Sequence, residues 1–494
     1  MGAEIAETSS PKKLEGYAFY REVLGSPKYI VAPMVDQSEL AFRRLCRRYG
    51  GQLVYTPMIH AKLFADPNTK YRSQFFDIKS GEEGAPGTDR PLIVQFCAND
   101  PEYLLTSAKV VEKHCDGVDI NLGCPQEIAR RGRYGAFLQD DWDTIFNLIN
   151  TLHKNLAVPV TAKFRVFASI EQTVAYAQML ERAGAQILTC HGRRREQRGH
   201  AAGLASYAHI RAVKQAVSVP VFANGNILFQ EDVAACLRET GCDGVMSAEG
   251  ILYNPALFAG LPVPAAADAS SSPAVPTPDD DAPAPDTDDD DALLTRHPPH
   301  TALALEYLAI VQTLHTPTSV SAVKGHLFKI LRPALARHPD LRERLGRVKV
   351  DQPARAKERT EGEPFWARGL EPYGEVVSEL GARLEGDAER ELMGGEEGEA
   401  EADGEAEGKD GRKRKTVGEL VRVQEGTGLK LLPWWLAQPY WRPLPKEPPE
   451  EAGAASTAKK RPHPRVSAGR AQPVDGDAAS ESKKLKVEAV ALVS

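Results

Sequence analysis

Between Lys28 and Gly250, short apolar runs alternate with longer stretches of helical character. The runs are KYIVAPM, LVYTPM, LIVQF, GVDINLG, VTAKFR, QILTCHG, VFANG and GVMSAEG. They lack polar alternation, as parallel strands covered on both faces should. The intervening stretches, among them SELAFRRLCRRYG, PEYLLTSAKVVEKHC, WDTIFNLINTLHKN and SIEQTVAYAQMLERAG, read as helices, and several end near glycine, a helix stop. Eight strands alternating with helices over about 220 residues predict an α/β fold, a (β/α)8 TIM barrel rather than an open doubly wound sheet. A dinucleotide-binding sheet would want a G-x-G-x-x-G turn after an early strand, and none is present.

The pattern changes after the barrel, which is set at residues 28–262 behind an N-terminal extension, 1–27. Residues 263–300 are rich in Pro, Ala and Asp without periodicity and predict a disordered acidic linker. Helical patterning resumes in TALALEYLAIVQTLH and SVSAVKGHLFKILRPALARHPDLRERL, predicting a small all-α domain over 301–348. Residues 349–416 are charged and Gly-rich, an expected disordered insertion. An aromatic segment, LPWWLAQPYWRPLP, lies within 417–446, and 447–494 read as a disordered basic tail.

Composition refines this picture. At 494 residues the chain exceeds what one core holds. Its net charge of −7 averages separate blocks: acidic PDDDAPAPDTDDDD and EGEAEADGEAEG, basic GRKRK and KKRPHPR. The global sign therefore does not exclude a nucleic-acid partner. Apolar runs are strand-length and the first residues are polar, so no membrane span or secretory signal is expected, and a reducing compartment follows. That points to the cytoplasm, with the basic clusters keeping the nucleus open. Seven cysteines without C-x-x-C spacing argue against a disulfide framework and against a zinc site; no metal is expected.

In such a barrel the chemistry collects at the C-terminal strand ends. These carry Ala32, Pro33 and Met34; Gln95; Asn121 and Cys124; Lys163 and Arg165; His191 and Arg193; Asn224, Gly225 and Asn226; and Ala248, Glu249 and Gly250. ANGN and SAEG, on adjacent strands, are turns whose backbone N–H groups can converge on a phosphate. A small-residue turn is also the commonest way to end a strand. Lys163 requires either an ion pair, with Asp119 or Glu249, or a place against the electron-rich edge of a hydride-accepting ring. His191 fits a hydrogen-bonded core position as well as a ligand contact, and Gln95 fits a backbone-satisfying role. Cys124 differs from Cys97 and Cys190, which fall within strands. It lies in a loop between Gly123 and Pro125, where its side chain is expected to be exposed and mobile. No Asp-His pair stands beside it, which favours a thiol acting as general acid over a nucleophile.

The motifs APM, QFCANDPE, DINLGCPQEIARRGRYGAFLQDDWD, TAKFR, HGRRREQRG, ANGNI and SAEGILYNPALF together resemble those of the tRNA-dihydrouridine synthases, most closely the eukaryotic 16/17 subfamily. The resemblance spans about Lys28 to Phe258, continues through KGHLFKILRP and reappears in WLAQPYWRP. It implies an FMN-binding barrel, a helical tRNA-binding domain, and NADPH or NADH as reductant. By similarity, Pro33, Met34 and Val35 line the flavin, Gln95 bonds its ring edge, Lys163 supports its N1 and O2 side, and His191 lies near it. Asn224, Gly225, Asn226, Ala248, Glu249 and Gly250 frame the phosphate. Cys124 corresponds to the donor that protonates uracil C5 after hydride reaches C6, and Asn121 and Arg193 are implied substrate contacts. The partner implied is the D-loop of tRNA, met by a monomer, with Arg194, Arg195, Arg198, Lys324, Lys329 and Arg332 as further candidate contacts. Arg194 departs from the family's usual threonine. Two other readings stay open: a flavin-dependent barrel reductase of a small molecule, and a tRNA-binding protein that has lost catalysis.

Overall fold

The computed structural model describes residues 13–199, 202–262, 290–350, 362–394, 414–424 and 429–440. Residues 263–289 of the acidic linker, most of GRKRK, the KKRPHPR cluster and the tail 447–494 lie outside the described residues. No described helix is long and apolar enough to cross a membrane.

The eight expected strands form: β1 Tyr29–Val31, β2 Leu53–Tyr55, β3 Leu92–Cys97, β4 Gly117–Leu122, β5 Val160–Arg165, β6 Leu188–His191, β7 Val221–Asn224 and β8 Gly244–Ser247. All pairings are parallel, in the order β2-β1-β8-β7-β6-β5-β4-β3, and β2 also pairs with β3, which closes the barrel. A two-residue strand, Ile59–His60, adds to the top of β3. Every barrel-strand residue is buried except Lys163 and His191, which are partly buried. The apolar runs therefore serve the core, and the two openings fall on candidate site residues.

Register decides which of these residues meet. Gln95 lies opposite Asp119, Asn121 opposite Lys163, and Lys163 opposite Thr189. His191 lies opposite both Arg165 and Asn224. Side chains alternate across a strand, so Asp119 and Asn121 share a face, as do Thr161, Lys163 and Arg165. The helices between strands start on side-chain caps, Asp100, Asp141, Ser169 and Ser206.

Several segments differ from the sequence expectation. Residues 13–27, the described part of the N-terminal extension, pack on the barrel: the turns Gly16–Ala18 and Phe19–Val23 bury Phe19, Tyr20 and Leu24. The Tyr20 hydroxyl donates to the Asp243 carbonyl at 3.0 Å. The helical region begins with Asp290–Arg296, inside the expected linker, before His300–Thr313 and Val320–Ile330. The expected disordered insertion contains the helix Glu371–Leu392, which buries Tyr373, Val376, Val377, Leu380 and Leu384 at helical spacing. Its polar positions are charged enough to mask that stripe in a composition-based reading.

Glu39, just before the helix Leu40–Arg48, fastens the helical region to the barrel. It accepts from the Tyr307 hydroxyl at 2.7 Å and pairs with His326 Nε2 at 3.0 Å. Nearby, Arg43 makes a two-pronged pair with Asp89, at 2.8 and 2.7 Å, with both side chains fully buried. Residues 429–440 lie across the same junction: Trp435, Leu436 and Ala437 are buried, and the Ala437 N–H donates to the Pro298 carbonyl at 2.9 Å.

Candidate active site

The β3–β4–β5 side of the barrel mouth holds one continuous hydrogen-bonded chain. Thr161 Oγ1 donates to Asp119 Oδ1 at 2.6 Å, and Gln95 Nε2 donates to Asp119 Oδ2 at 2.8 Å. Asn121 Nδ2 donates to Gln95 Oε1 at 2.8 Å. Asn121 Oδ1 in turn accepts from the backbone N–H groups of Gly123 and Cys124, at 3.2 and 2.9 Å. The candidate proton donor is thus tied through Asn121 and Gln95 to a fully buried carboxylate on the strand that precedes its loop.

Cys124 itself departs from expectation. Its side chain is buried, with the residue 9% exposed, because the following segment folds back on it: the Ala136 N–H donates to the Cys124 carbonyl at 3.0 Å. Gly135 makes this approach possible, since at φ +64° a Cβ there would lie 2.8 Å from that carbonyl oxygen. Burial raises the thiol pKa, outweighing the Gln126 N–H and the charges of Arg165 and Lys163. The thiol therefore stays protonated at neutral pH, as a proton donor must. Arg165 holds this loop from the other side, donating to the Gly123 carbonyl at 2.8 Å and to the Arg194 carbonyl at 3.0 Å.

Lys163 has no hydrogen bond to its ammonium among the described residues, and that ammonium is not sealed from solvent. Burial, then the charge of Arg165, lowers its pKa to about 8 against the opposing pull of Asp119. Burial likewise lifts Asp119 to about 6, against bonds from Thr161 and Gln95 and the charge of Lys163. Asp119 thus acts on the Lys163 charge without a direct bond to it. The His191 imidazole is pushed well below its usual range by burial and by Arg165, Lys163 and Arg193, and so is neutral.

On the opposite side, Gly225 takes φ +119°, where a Cβ would meet the Ala205 Cβ at 2.6 Å. At Gly250 a Cβ would meet the Ile227 carbonyl oxygen at 2.4 Å, so the two turns interlock backbone to backbone. Asn224 is buried and donates to the Met246 carbonyl at 2.8 Å. The Asn226 amide closes a loop on Ala205, accepting from its N–H at 2.8 Å and donating to its carbonyl at 2.9 Å. Arg193, read as a substrate contact, bridges the Gly203 carbonyl and Asn226 Oδ1, at 2.9 and 3.0 Å. Glu249 begins a short helix and feels the charge of Lys329 from the helical region. Met34 is buried and locked by reciprocal bonds with Ser38, while Pro33 and Val35 are half-buried beside it.

Of the outer basic residues, Arg195 pairs with Asp140 at 2.7 Å, Arg198 donates to the Pro125 carbonyl at 2.7 Å, and Arg332 lies 3.7 Å over the Tyr440 ring. Sequence reasoning named Asp119 only as a possible partner of Lys163 and passed over Thr161, which donates to it, and Tyr55, whose buried hydroxyl feels its charge. The one signal available was the alternation of polar positions in DINL and TAKFR, which the reading of these runs as free of alternation passed over.

A profile of the family described as Dihydrouridine synthase (Dus) matches residues 30–344. The chain belongs to the dihydrouridine synthase family. It is 40% identical over 438 residues to a Schizosaccharomyces pombe protein named tRNA-dihydrouridine(16/17) synthase (NAD(P)(+)), covering 88% of this chain and 92% of that one. A Saccharomyces cerevisiae protein of the same name is 41% identical over 442 residues, 89% of each. A Rattus norvegicus protein, named as like that synthase, is 48% identical over 339 residues, 68% of this chain and 67% of that one. As a dihydrouridine synthase the chain is an oxidoreductase, and the barrel mouth is where its family's chemistry belongs.

The residues at that mouth fit a flavin. Lys163 presents an ammonium with open donors, and Gln95 retains one amide N–H and one carbonyl lone pair beyond the bonds it makes, a match for a lactam edge. Gly225 and Gly250 admit no side chain at these two turns, so each turn can approach its neighbour closely, which is compatible with a phosphate cradle.

Proposed function

We propose that this dihydrouridine synthase reduces the C5–C6 bond of uridines 16 and 17 in the D-loop of tRNA, with FMN as its flavin and NADPH or NADH as reductant. The observation that carries the reading is Cys124: a protonated thiol, buried at the barrel mouth on a loop held from two sides. When bound, FMN supplies hydride to uracil C6. Lys163, His191 and Gln95 would hold its ring, Met34 with Pro33 and Val35 would line it, and the turns Asn224–Asn226 and Ala248–Gly250 would hold its phosphate.

Hydride arrival at C6 leaves negative charge at C5, which is conjugated to the C4 carbonyl. The Cys124 S–H bond then breaks as the C5–H bond forms, and the thiolate is left beside Arg165 and Lys163, whose charges stabilise it. Asn121, whose amide is fixed by Gln95, stands next to the thiol as the uracil contact. The base must leave its stack to reach this depth, at a cost of a few kcal/mol. The remaining grip on tRNA is by phosphate contacts and shape, with salt-dependent affinity.

The test is mass-spectrometric mapping of unmodified D-loop tRNA incubated with the protein and NADPH. A gain of two hydrogens at uridines 16 and 17 is the expected result. A yellow, flavin-loaded protein that leaves tRNA unchanged would overturn the substrate and keep the barrel chemistry.

A further inference from the structure

The chain from Thr161 to Cys124 has a direction that chemistry enforces from both ends. Asp119 as a carboxylate only accepts, so the Gln95 atom facing it must be Nε2. At the other end the backbone N–H groups of Gly123 and Cys124 only donate, so the Asn121 atom facing them must be Oδ1. Both assignments place Gln95 Oε1 against Asn121 Nδ2, where the contact is 2.8 Å. The two amides, whose ends are otherwise interchangeable, are therefore sorted without conflict.

We propose that Asp119 is a positioning residue that fixes the hydrogen-bond polarity of Gln95 and Asn121, and through them the loop carrying Cys124. The inference rests on the reading of Cys124 as proton donor. Asp119 is fully buried one side-chain step below Asn121 on β4, and touches the loop only through the two amides. If the polarity reversed, Gln95 Nε2 would face Asn121 Oδ1, and the Asn121 NH2 would be driven against the Cys124 N–H, donor against donor. The loop could then keep its place only with a buried N–H unsatisfied. The same sorting leaves Gln95 with one N–H and one lone pair in a defined order for the ring edge it would meet.

The experiment is a charge-swap cycle read on the thiol. Gln95→Glu sets carboxylate against carboxylate and cannot donate to Asp119. Asp119→Asn alone is tolerated, because the amide oxygen introduced there can accept from Gln95 while the amide nitrogen donates to Thr161 Oγ1. In the double variant Gln95→Glu/Asp119→Asn, the amide nitrogen at position 119 donates to the carboxylate at position 95, which accepts from Asn121 as before. The measurement is the rate of iodoacetamide alkylation at each cysteine, by peptide mass spectrometry, in the purified full chain. We expect Gln95→Glu to raise the Cys124 rate about tenfold, the equivalent of one buried hydrogen bond, with Cys97 and Cys190 still protected. Asp119→Asn and the double variant should stay within about threefold of the wild type.

Three results would overturn the inference: a Cys124 rate unchanged in Gln95→Glu, a double variant as reactive as Gln95→Glu, or all cysteines opening together in Gln95→Glu, which is general loosening. None of these rates requires turnover. Wild-type conversion of tRNA, measured in parallel, tests the proposed function separately.

Discussion

Two buried polar networks bracket the working end of this protein, and they respond oppositely to protons. Inside the barrel, Asp119 is surrounded by neutral donors and a distant ammonium. Burial prevails there and raises its pKa to about 6. At the junction with the helical region, Glu39 is also enclosed, but His326 and Tyr307 bond it directly and outweigh burial, so its pKa falls below the usual range. The difference lies mainly in the partners, and partly in depth, since Glu39 keeps some exposure and Asp119 none. A carboxylate bonded directly by an imidazole and a hydroxyl fastens two regions together. One held by neutral amides carries unrelieved electrostatic cost, tolerable where its acceptor-only character orders a site.

The largest effect should come from the residue this ordering serves. Cys124→Ala should lower dihydrouridine formation by at least about 100-fold, the usual contribution of a general acid, while the protein remains yellow. Full turnover by that variant would remove the thiol from the reaction. Next in size are the fastenings. Glu39→Ala leaves His326 and Tyr307 without their shared partner, and should reduce unfolding free energy by about 3 kcal/mol in urea titrations. A loss below about 1 kcal/mol would put Glu39 on a par with an exposed pair and dissolve the contrast.

The contrast also fixes a sign. Asp119 takes up a proton more readily folded than unfolded, so its contribution to stability grows as pH falls from about 6 to its unfolded value near 4. Wild type should therefore gain thermal stability relative to Asp119→Asn across that window. Glu39, with its pKa lowered, contributes fully above its unfolded value and loses that only at more acid pH. Melting curves from about pH 3 to pH 7.5 would check both; a difference between wild type and Asp119→Asn that is flat with pH would contradict the assignment for Asp119.

The barrel was legible because parallel strands covered on both faces appear as unbroken apolar runs, and because this architecture gathers its chemistry at one end. Lys163 was singled out for that reason, His191 only by its place at the same end, and the structure makes them the two strand positions that are only partly buried. The Asp119 chain was not legible, since it depends on register between β3, β4 and β5. The burial of Cys124 was missed because it needs Gly135, eleven residues on, to bring the backbone back over the thiol. In Glu371–Leu392 the apolar positions had helical spacing, but the surrounding charge and glycine outweighed it in a composition-based reading.

The smallest effect concerns the segment 429–440, which closes over the junction. His297 Nδ1 bonds the Ala437 carbonyl at 2.8 Å, and His300 Nε2 bonds the Trp434 carbonyl at 3.1 Å. Burial lowers both imidazoles to about 4. Each therefore binds its proton less readily folded than unfolded, and the stability of this clasp falls as pH drops from about 6.5 toward 4. That is the window in which Asp119 gains. At pH 5 the barrel interior should tighten while the clasp loosens. Limited proteolysis should show faster cleavage near residues 429–440 at pH 5 than at pH 7.5, with the barrel resistant at both. His300→Gln removes one titrating ring and keeps an amide donor for the Trp434 carbonyl, so it should roughly halve the pH-dependent acceleration. An acceleration unchanged by that variant would assign the loosening to His297 alone, and none at all would deny the histidines any part in holding the clasp.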